Sequence, residues 1–367
     1  MKTKIDLCRN YRKGIIVALL VTGVLLMLTT FNSCKKSDNT NPNTNDSIKY
    51  SLNDLLGSWQ RHSLVTTSSN KGFWIYATIV NTQGSSTAHF ILQNGHNMDT
   101  TYTGMGASMT SDGIVTTASD PAAHSYLSSD KNLWVGTTKR DSLYTLVFDQ
   151  KTVPGTIYSS ADFQGTWQTH YIVSGGQWTG WIHAVSILDN TGTCTSYTVV
   201  KSDGKTGVSS GGTTLISSNG IITVSTVATY NGFMSADKKL MITTMTDGGG
   251  GGGLSVAQKE VAGTTYSNAD LQGKWQMHDL IVGSENWSEH GIMTIDASGK
   301  GIISNMIKDD GGTFNNPGTI ALSISTGGVI TFGTDFHGFM SADKRLVVGT
   351  KGDATNAYCL VTLQKMP

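Results

Sequence analysis

Short runs of apolar and β-branched residues, separated by Gly, Asp and Asn, characterise the chain from residue 50 onward. Toward the C-terminus these runs are strand-sized, and no run with helical spacing reaches ten residues. Runs of this length between turn residues are typical of β-strands. The last module is predicted to hold about eight strands, at Trp275, 292–295, 301–304, 320–324, 329–332, 338–340, 345–348 and 358–363.

One stretch of sequence occurs three times at a spacing of 108 residues, starting at Tyr50, Tyr158 and Tyr266. This period matches a common single-domain size, so each copy is long enough to bury a core of its own. We therefore predict three modules, over residues 50–152 (module 1), 157–260 (module 2) and 265–367 (module 3).

Eight antiparallel strands in each module fit an up-and-down β-barrel, in which closure removes the exposed edges of an open sheet. The predicted fold is all-β, with three tandem antiparallel β-barrels of about eight strands each. A six-bladed propeller with two blades in each module is the alternative. Under the barrel interpretation, residues 157–263 alone should fold as a cooperative monomer.

The repeated stretch joins a capping signal to a Gly-x-Trp motif. A Ser stands three residues before an Asp, which is the spacing of a capping box at a short helical turn. The Gly-x-Trp that follows resembles the start of lipocalins and avidins, the calycin superfamily. The resemblance implies that each Trp plugs the closed end of a barrel and that a cation of the last strand crosses it. The motif residues are Gly57 and Trp59, Gly165 and Trp167, and Gly273 and Trp275, and the candidate cations are Lys151, Lys259 and Lys365.

The first 49 residues have the pattern of a targeting signal followed by a polar tether. A basic start precedes about fifteen apolar residues, which suits a signal peptide over 1–33 and is short for a membrane-spanning helix. The following Cys34 resembles the lipid-bearing cysteine of bacterial lipoproteins, particularly those of Bacteroidetes. We expect a cleaved chain, anchored by lipid on Cys34 to the outer membrane or cell surface of a Gram-negative bacterium. Residues 34–49 form a polar tether, and an uncleaved N-terminal anchor is the alternative.

Net charge bears on the possible partners, and the positions of the cysteines bear on disulfide formation. Removal of residues 1–33 takes five of 26 basic and one of 26 acidic side chains, which leaves a net charge of −4. No basic stripe remains, so nucleic acid is not an expected partner. Cys194 and Cys359 occupy unrelated positions in two modules, so we expect free thiols rather than a disulfide.

Strand alternation divides the positions after each Trp between two faces. Arg61, Tyr171 and Asp279 share the inward face with the Trp of their module. The resemblance to avidin-like barrels, in which the corresponding inward positions touch ligand, makes them candidate ligand contacts, and variation in a filled interior is the alternative. The repeated His62, His170 and His278 should point outward, for structural hydrogen bonds or packing between modules. One His in each barrel is a poor metal site, and neither a metal nor a cofactor is predicted.

Four further tryptophans lie between the first and second predicted strands of the modules: Trp74, Trp178, Trp181 and Trp287. An aromatic ring at a barrel mouth suits stacking on a sugar or another flat ligand, and rings folded back over the core are the alternative. The sequence contains no catalytic motif. We predict a non-catalytic binding protein for carbohydrate or a small amphipathic molecule, with a structural or adhesive spacer as the alternative.

Overall fold

The computed structural model describes residues 48–367 except 68, 70, 84, 94, 104–106, 118–119, 225–226, 313–317 and 353–354. The predicted signal peptide, Cys34 and nearly all of the tether lie outside the described residues. The described part is all-β, with three antiparallel sheets of nine strands each and helical turns of four residues. Among the described residues, no helix has the length and apolar character needed to cross a membrane.

Module 1 forms the first sheet. A helical turn at Leu52–Leu55 precedes the strands β1 (Gly57–Thr67), β2 (Gly72–Asn81), β3 (Ser85–Leu92), β4 (Asn97–Thr103), β5 (Ala107–Met109), β6 (Ile114–Thr117), β7 (Asp120–Leu127), β8 (Leu133–Arg140) and β9 (Leu143–Lys151).

Module 2 repeats this order. A helical turn at Ser160–Phe163 precedes the strands β10 (Gly165–Ser174), β11 (Gly180–Leu188), β12 (Cys194–Lys201), β13 (Thr206–Ser209), β14 (Thr214–Ile216), β15 (Ile221–Val224), β16 (Val227–Met234), β17 (Leu240–Thr246) and β18 (Gly252–Lys259).

Module 3 completes the set. A helical turn at Asn268–Leu271 precedes the strands β19 (Gly273–Gly283), β20 (Trp287–Ile295), β21 (Lys300–Lys308), β22 (Thr319–Ala321), β23 (Ser323–Ile324), β24 (Val329–Phe332), β25 (Phe336–Met340), β26 (Leu346–Gly352) and β27 (Ala357–Lys365).

Each sheet is a meander that curls until its first strand pairs with its last. The order in module 1 is β4-β3-β2-β1-β9-β8-β7-β6-β5, and the other two sheets repeat it. The fourth and fifth strands are therefore the two ends of the sheet, and the predicted continuous closure is replaced by a seam between them. Three nine-stranded sheets also exclude the six-bladed propeller.

The prediction of eight strands was one short, and the seam explains why. The single predicted strand 320–324 is split at Leu322, whose side chain is buried and whose backbone N–H donates to Gly299 O at 2.9 Å. Residues before Leu322 pair with β21, and residues after it pair with β24. One apolar run thus serves both ends of the sheet, which a linear pattern does not reveal.

The repeated stretch builds the closed end of each barrel. The Trp59 indole Nε1 donates to Leu55 O at 2.8 Å, and Lys151 Nζ lies 5.2 Å from the centre of its rings. The predicted capping box is confirmed, because the Ser51 backbone N–H donates to the Asp54 carboxylate at 2.8 Å. The predicted cation–π contact is confirmed in all three modules, with Lys259 at 5.3 Å from Trp167 and Lys365 at 5.2 Å from Trp275.

The three modules pack around a shared apolar core, in addition to a core inside each barrel. The outer faces of the first, last and eighth strands of every module meet there. Because the Trp faces inward, alternation places the residue five positions later on this outer face. The shared core therefore joins the modules into one body through Leu64, Leu133, Val135, Leu146, Phe148, Ile172, Ile242, Leu254, Val256, Leu280, Val282, Leu346, Val348 and Leu360.

Candidate ligand sites in the barrels

The inward position two residues after the motif Trp is neutralised in module 1. Arg61 of β1 lies opposite Asp149 of β9, and the guanidinium donates to both carboxylate oxygens, at 2.9 and 2.8 Å. The Asp149 side chain is only 2% exposed, so this is a buried ion pair. Arg61 faces the interior as predicted, but its planar fork is already engaged by its own barrel.

Module 2 has a tyrosine at the next inward position, four residues after its motif Trp. Tyr171 of β10 lies over Gly253, where a Cβ atom would stand 2.1 Å from the Tyr171 hydroxyl oxygen. Burial raises the pKa of Tyr171, and nearby Asp247, Tyr197 and Tyr230 raise it further. The Tyr171 hydroxyl has no hydrogen-bond partner among the described residues. Tyr171 therefore presents an unused donor and acceptor inside the barrel.

Module 3 places two carboxyl groups side by side. Asp279 of β19 lies directly opposite Glu289 of β20, and their exposed fractions are 5% and 6%. Burial raises the pKa of Asp279 well above its ordinary value, and the Glu289 carboxyl raises it further. Burial also raises the pKa of Glu289, against the hydrogen bond from Trp287 and the charge of Lys308. Removing charged carboxylates from water is costly without pairing, so this pair favours a bound proton or a ligand.

Trp287 and Lys308 complete this cluster. The Trp287 Nε1–H donates to Glu289 Oε2 at 2.8 Å, and Lys308 Nζ lies 4.0 Å from the centre of the indole. Asp279 Oδ1 has no partner among the described residues. We call Asp279, Glu289, Trp287 and Lys308 the carboxyl cluster. It combines an aromatic face, two carboxyl groups and a cation at the inner wall of one barrel.

The other predicted tryptophans have different locations. Trp74 is on β2 and donates from Nε1 to Thr246 Oγ1 of module 2 at 3.0 Å. Trp181 is on β11, with its ring 5.0 Å from His337 of module 3. The predicted mouth loops are therefore wrong for both, because each lies within a strand and is buried against the neighbouring module. Trp287 is also a strand residue, the first of β20. Trp178 does lie in the loop before β11, where it is half-buried against Gly180.

The repeated histidines lie between modules, as their outward direction predicted. His62 Nδ1 is 3.5 Å from Thr244 Oγ1 of module 2, and His170 Nδ1 is 3.5 Å from Thr350 Oγ1 of module 3. His278 Nε2 is 3.1 Å from Nδ1 of His124 in module 1. The three histidines are fully buried and link the modules in the cyclic order 1, 2, 3, 1.

A cavity of about 100 Å³ lies where the three modules meet, near the closed ends of the barrels. Its lining repeats in each module: a Ser-x-Asp turn, a Leu and a Gln of the last strand. Gln150 Nε2 donates to Leu240 O at 3.5 Å, and Gln258 Nε2 donates to Leu346 O at 3.3 Å. The carboxamide oxygens of Gln150, Gln258 and Gln364 have no partner among the described residues, an arrangement that suits ordered water.

The described residues contain no group of three or more His, Cys, Asp or Glu side chains arranged to hold a metal ion. Cys194 and Cys359 are free thiols, as predicted. Burial raises the pKa of Cys359 well above its usual range, and Asp279 and Glu289 raise it further. Cys359 is therefore an unreactive neighbour of the carboxyl cluster rather than a nucleophile.

Sequence reasoning missed Glu289 and Lys308. Glu289 is the partner of Asp279 across the β19–β20 hairpin. The sequence feature that could have predicted this pair is an acidic residue on each side of one turn. The register of that hairpin decides whether the two acids face each other, and a shift of one residue would have separated them. Lys308 lies on the neighbouring strand β21 directly opposite Glu289, so the register of that pairing brings it to Trp287.

Comparison with known proteins gives no family. No family model matches the sequence, and no curated protein matches it. Among solved structures, transferrin binding protein B from Neisseria meningitidis has a TM-score of 0.29 at 10% identity, over 85% of this chain and 77% of that chain. A protein with unknown function from Nostoc punctiforme has a TM-score of 0.22 at 9% identity, over 85% and 96%.

Kievitone hydratase from Nectria haematococca has a TM-score of 0.15 at 11% identity, over 90% of this chain and 96% of that chain. These likenesses are too low to support an argument about fold or activity. The conclusions below therefore rest on the residues of this chain.

Proposed function

We propose that this protein is a lipid-anchored, extracytoplasmic binding protein without catalytic activity, and that module 3 binds a small carbohydrate. The carboxyl cluster supports this proposal most directly. Asp279 Oδ1 is buried without a partner, and a buried polar atom in this state gains from a ligand that donates a hydrogen bond. Sugar hydroxyls are such donors, and Trp287 offers an aromatic surface beside them.

Comparison between the barrels favours module 3 as the site. In module 1, Asp149 is neutralised by Arg61, so that barrel satisfies its own charge. In module 3 the residues at those two positions are Met277 and Leu363, which lie opposite each other and are both buried. The acids of module 3 occupy the next inward level, without an arginine fork. Module 3 therefore offers an external ligand a buried carboxyl oxygen without a hydrogen-bond partner, whereas the buried carboxylate of module 1 is already paired.

Calorimetric titration of the full mature chain against a glycan panel tests the site. We expect binding by the native chain and at least a tenfold loss of affinity for Asp279→Asn and for Trp287→Ala. Tyr171→Phe, at the equivalent inward position of module 2, is the matched control and should retain the native affinity. Binding that survives both module 3 substitutions would reject this site. No binding to glycans or to a parallel amphipathic panel would favour the spacer.

The proposed localisation is the outer membrane or the cell surface, where lipid on Cys34 anchors the protein. The apolar run, the cysteine after it and the polar tether support this. Metabolic labelling with a radioactive fatty acid should mark the native protein and not Cys34→Ala. Label that persists in Cys34→Ala would overturn the proposed anchor.

A further inference from the structure

Seven of the nine histidines lie at the contacts between modules. Each contact has the same plan. The first strand of one module contributes a His, its second strand contributes the residue opposite, and the seventh strand of the next module contributes a third residue. The three sets are His62, Tyr76 and Asn231 (first interface), His170, His183 and His337 (second interface), and His278, His290 and His124 (third interface).

In the second and third interfaces all three residues are histidines, and their rings lie in contact. His183 stacks on His170 at 4.9 Å and on His337 at 5.3 Å between ring centres. His124 stacks on His290 at 3.9 Å with an angle of 7° between the rings. Adding protons to rings at these separations places like charges together in a buried site.

The hydrogen bonds of the second interface fix which ring nitrogen of His183 carries a proton. Gln168 Nε2 donates to Glu260 at 2.7 Å, so its Oε1 accepts from Nε2–H of His183 at 3.0 Å. The other charged group that acts on this cluster is Asp335, whose charge raises the pKa of His337 against the larger effect of burial. Burial and the neighbouring rings lower the pKa of His170 well below its usual value, and that of His183 to about 4.

The third interface includes one carboxylate. Asp309 accepts from Nδ1 of His290 at 3.0 Å, from Thr137 at 3.4 Å, and from Ser288. Asp309 therefore lies directly against His290, and the charges of Glu289 and His290 also interact. His124 and His278 share a single hydrogen bond, in which one nitrogen donates and the other accepts. Two charged rings would direct N–H toward N–H. Burial lowers the pKa of His124 to about 3.

We propose that the second and third interfaces form an acid-sensitive latch, which opens between about pH 6 and pH 4 and exposes the shared apolar core while the three barrels keep their strands. Burial lowers the basicity of five of these histidines while the interfaces are closed, and they regain ordinary basicity when the interfaces open: His124, His170, His183, His278 and His337. The closed arrangement is therefore fully favoured above about pH 6.5 and is weakened as the pH falls.

The size of the effect follows from the difference in basicity. A histidine that titrates near pH 6.5 in the open state and near pH 4 in the closed state changes the ratio of closed to open protein about 100-fold between pH 7.5 and pH 4.5. Two such groups, His183 and His124, give about 10⁴-fold. Each barrel has an apolar core of its own, which remains buried after the interfaces open and stabilises the sheet.

The test follows the full mature chain from pH 7.5 to pH 4 at low protein concentration. Binding of the dye ANS and the radius of gyration from X-ray scattering report opening, and far-ultraviolet circular dichroism reports the strands. We expect the first two signals to rise together near pH 5 while the third stays constant. No rise down to pH 4, or a loss of strand signal over the same pH range, would overturn the latch.

The first interface supplies the matched variant. Substitutions His183→Tyr and His337→Asn copy Tyr76 and Asn231 into the second interface, and His124→Asn copies Asn231 into the third. The midpoint of opening should fall by at least one pH unit, and a midpoint unchanged from the native protein would overturn the assignment. If this variant fails to fold, His337→Asn and His124→Asn are tested singly, each with a smaller shift in the same direction. His89→Gln with His96→Gln, both exposed and outside the interfaces, should leave the midpoint unchanged.

Discussion

The buried ion pair of module 1 allows a quantitative prediction. Substitution Arg61→Met removes the fork that donates two hydrogen bonds to Asp149 and leaves a carboxylate that is 2% exposed. Loss of one partner of a buried pair costs about 3–5 kcal/mol of the free energy of unfolding, because the remaining charge is neither solvated nor paired. We therefore expect Arg61→Met to be among the most destabilising single substitutions in this barrel.

Module 3 provides the compensating change. Met277 and Leu363 occupy the positions equivalent to Arg61 and Asp149, opposite each other on the same two strands. The double substitution Arg61→Met with Asp149→Leu transfers this apolar pair into module 1. Since apolar replacement of a buried ion pair is often neutral or stabilising by about 1–4 kcal/mol, the double variant should recover the stability lost in Arg61→Met.

A double-mutant cycle measures the coupling. Urea unfolding followed by circular dichroism is recorded for the native chain, Arg61→Met, Asp149→Leu and the double variant. The expected coupling energy is about 3–5 kcal/mol or more, with the double variant close to the native protein. A coupling below about 0.5 kcal/mol, or a double variant as unstable as Arg61→Met, would refute this account of the pair.

Two further predictions concern the shared core and the closed ends. Residues 157–263 produced alone expose four fully buried side chains, worth about 6–12 kcal/mol of apolar burial, so light scattering should show association. The side chains are Ile172, Ile242, Leu254 and Val256. A stable monomer would show that the shared core is dispensable. Gly328→Ala places a Cβ 2.8 Å from the Tyr266 ring at φ +90°, so thermal unfolding should show a loss of about 1–3 kcal/mol. Gly327→Ala is the control, with its nearest neighbour at 3.8 Å, and an equal loss in both would contradict the steric explanation.

Local sequence patterns predicted the interior of each barrel well. The inward Trp59, the cation from Lys151 and the capping Asp54 all depend on spacing within a strand, a helical turn or a repeated motif. Strand alternation also placed His62 on the outer face correctly. Short-range geometry determines the strand alternation and the cap, whereas the contact of Lys151 with Trp59 joins the two ends of the module and was implied by the resemblance to lipocalins.

Predictions about the surroundings of the barrels were less successful. Trp74 and Trp181 were expected in mouth loops, yet both are buried against a neighbouring module. The outer-face Leu64 and Leu146 look like ordinary strand residues in the sequence. Their burial depends on contacts between segments separated by about 100 residues or more, which local periodicity does not encode.

The amino-acid sequence by itself determined three repeated β modules, a Trp and a Lys at the closed end of each, and the direction of the histidines. Tertiary structure decided where each sheet has its seam, how the modules share a core, and which side chains face Asp279. The physical reason lies in the range of the interactions. Alternation and capping act over a few residues, whereas sheet curl and module packing depend on the fit of whole surfaces.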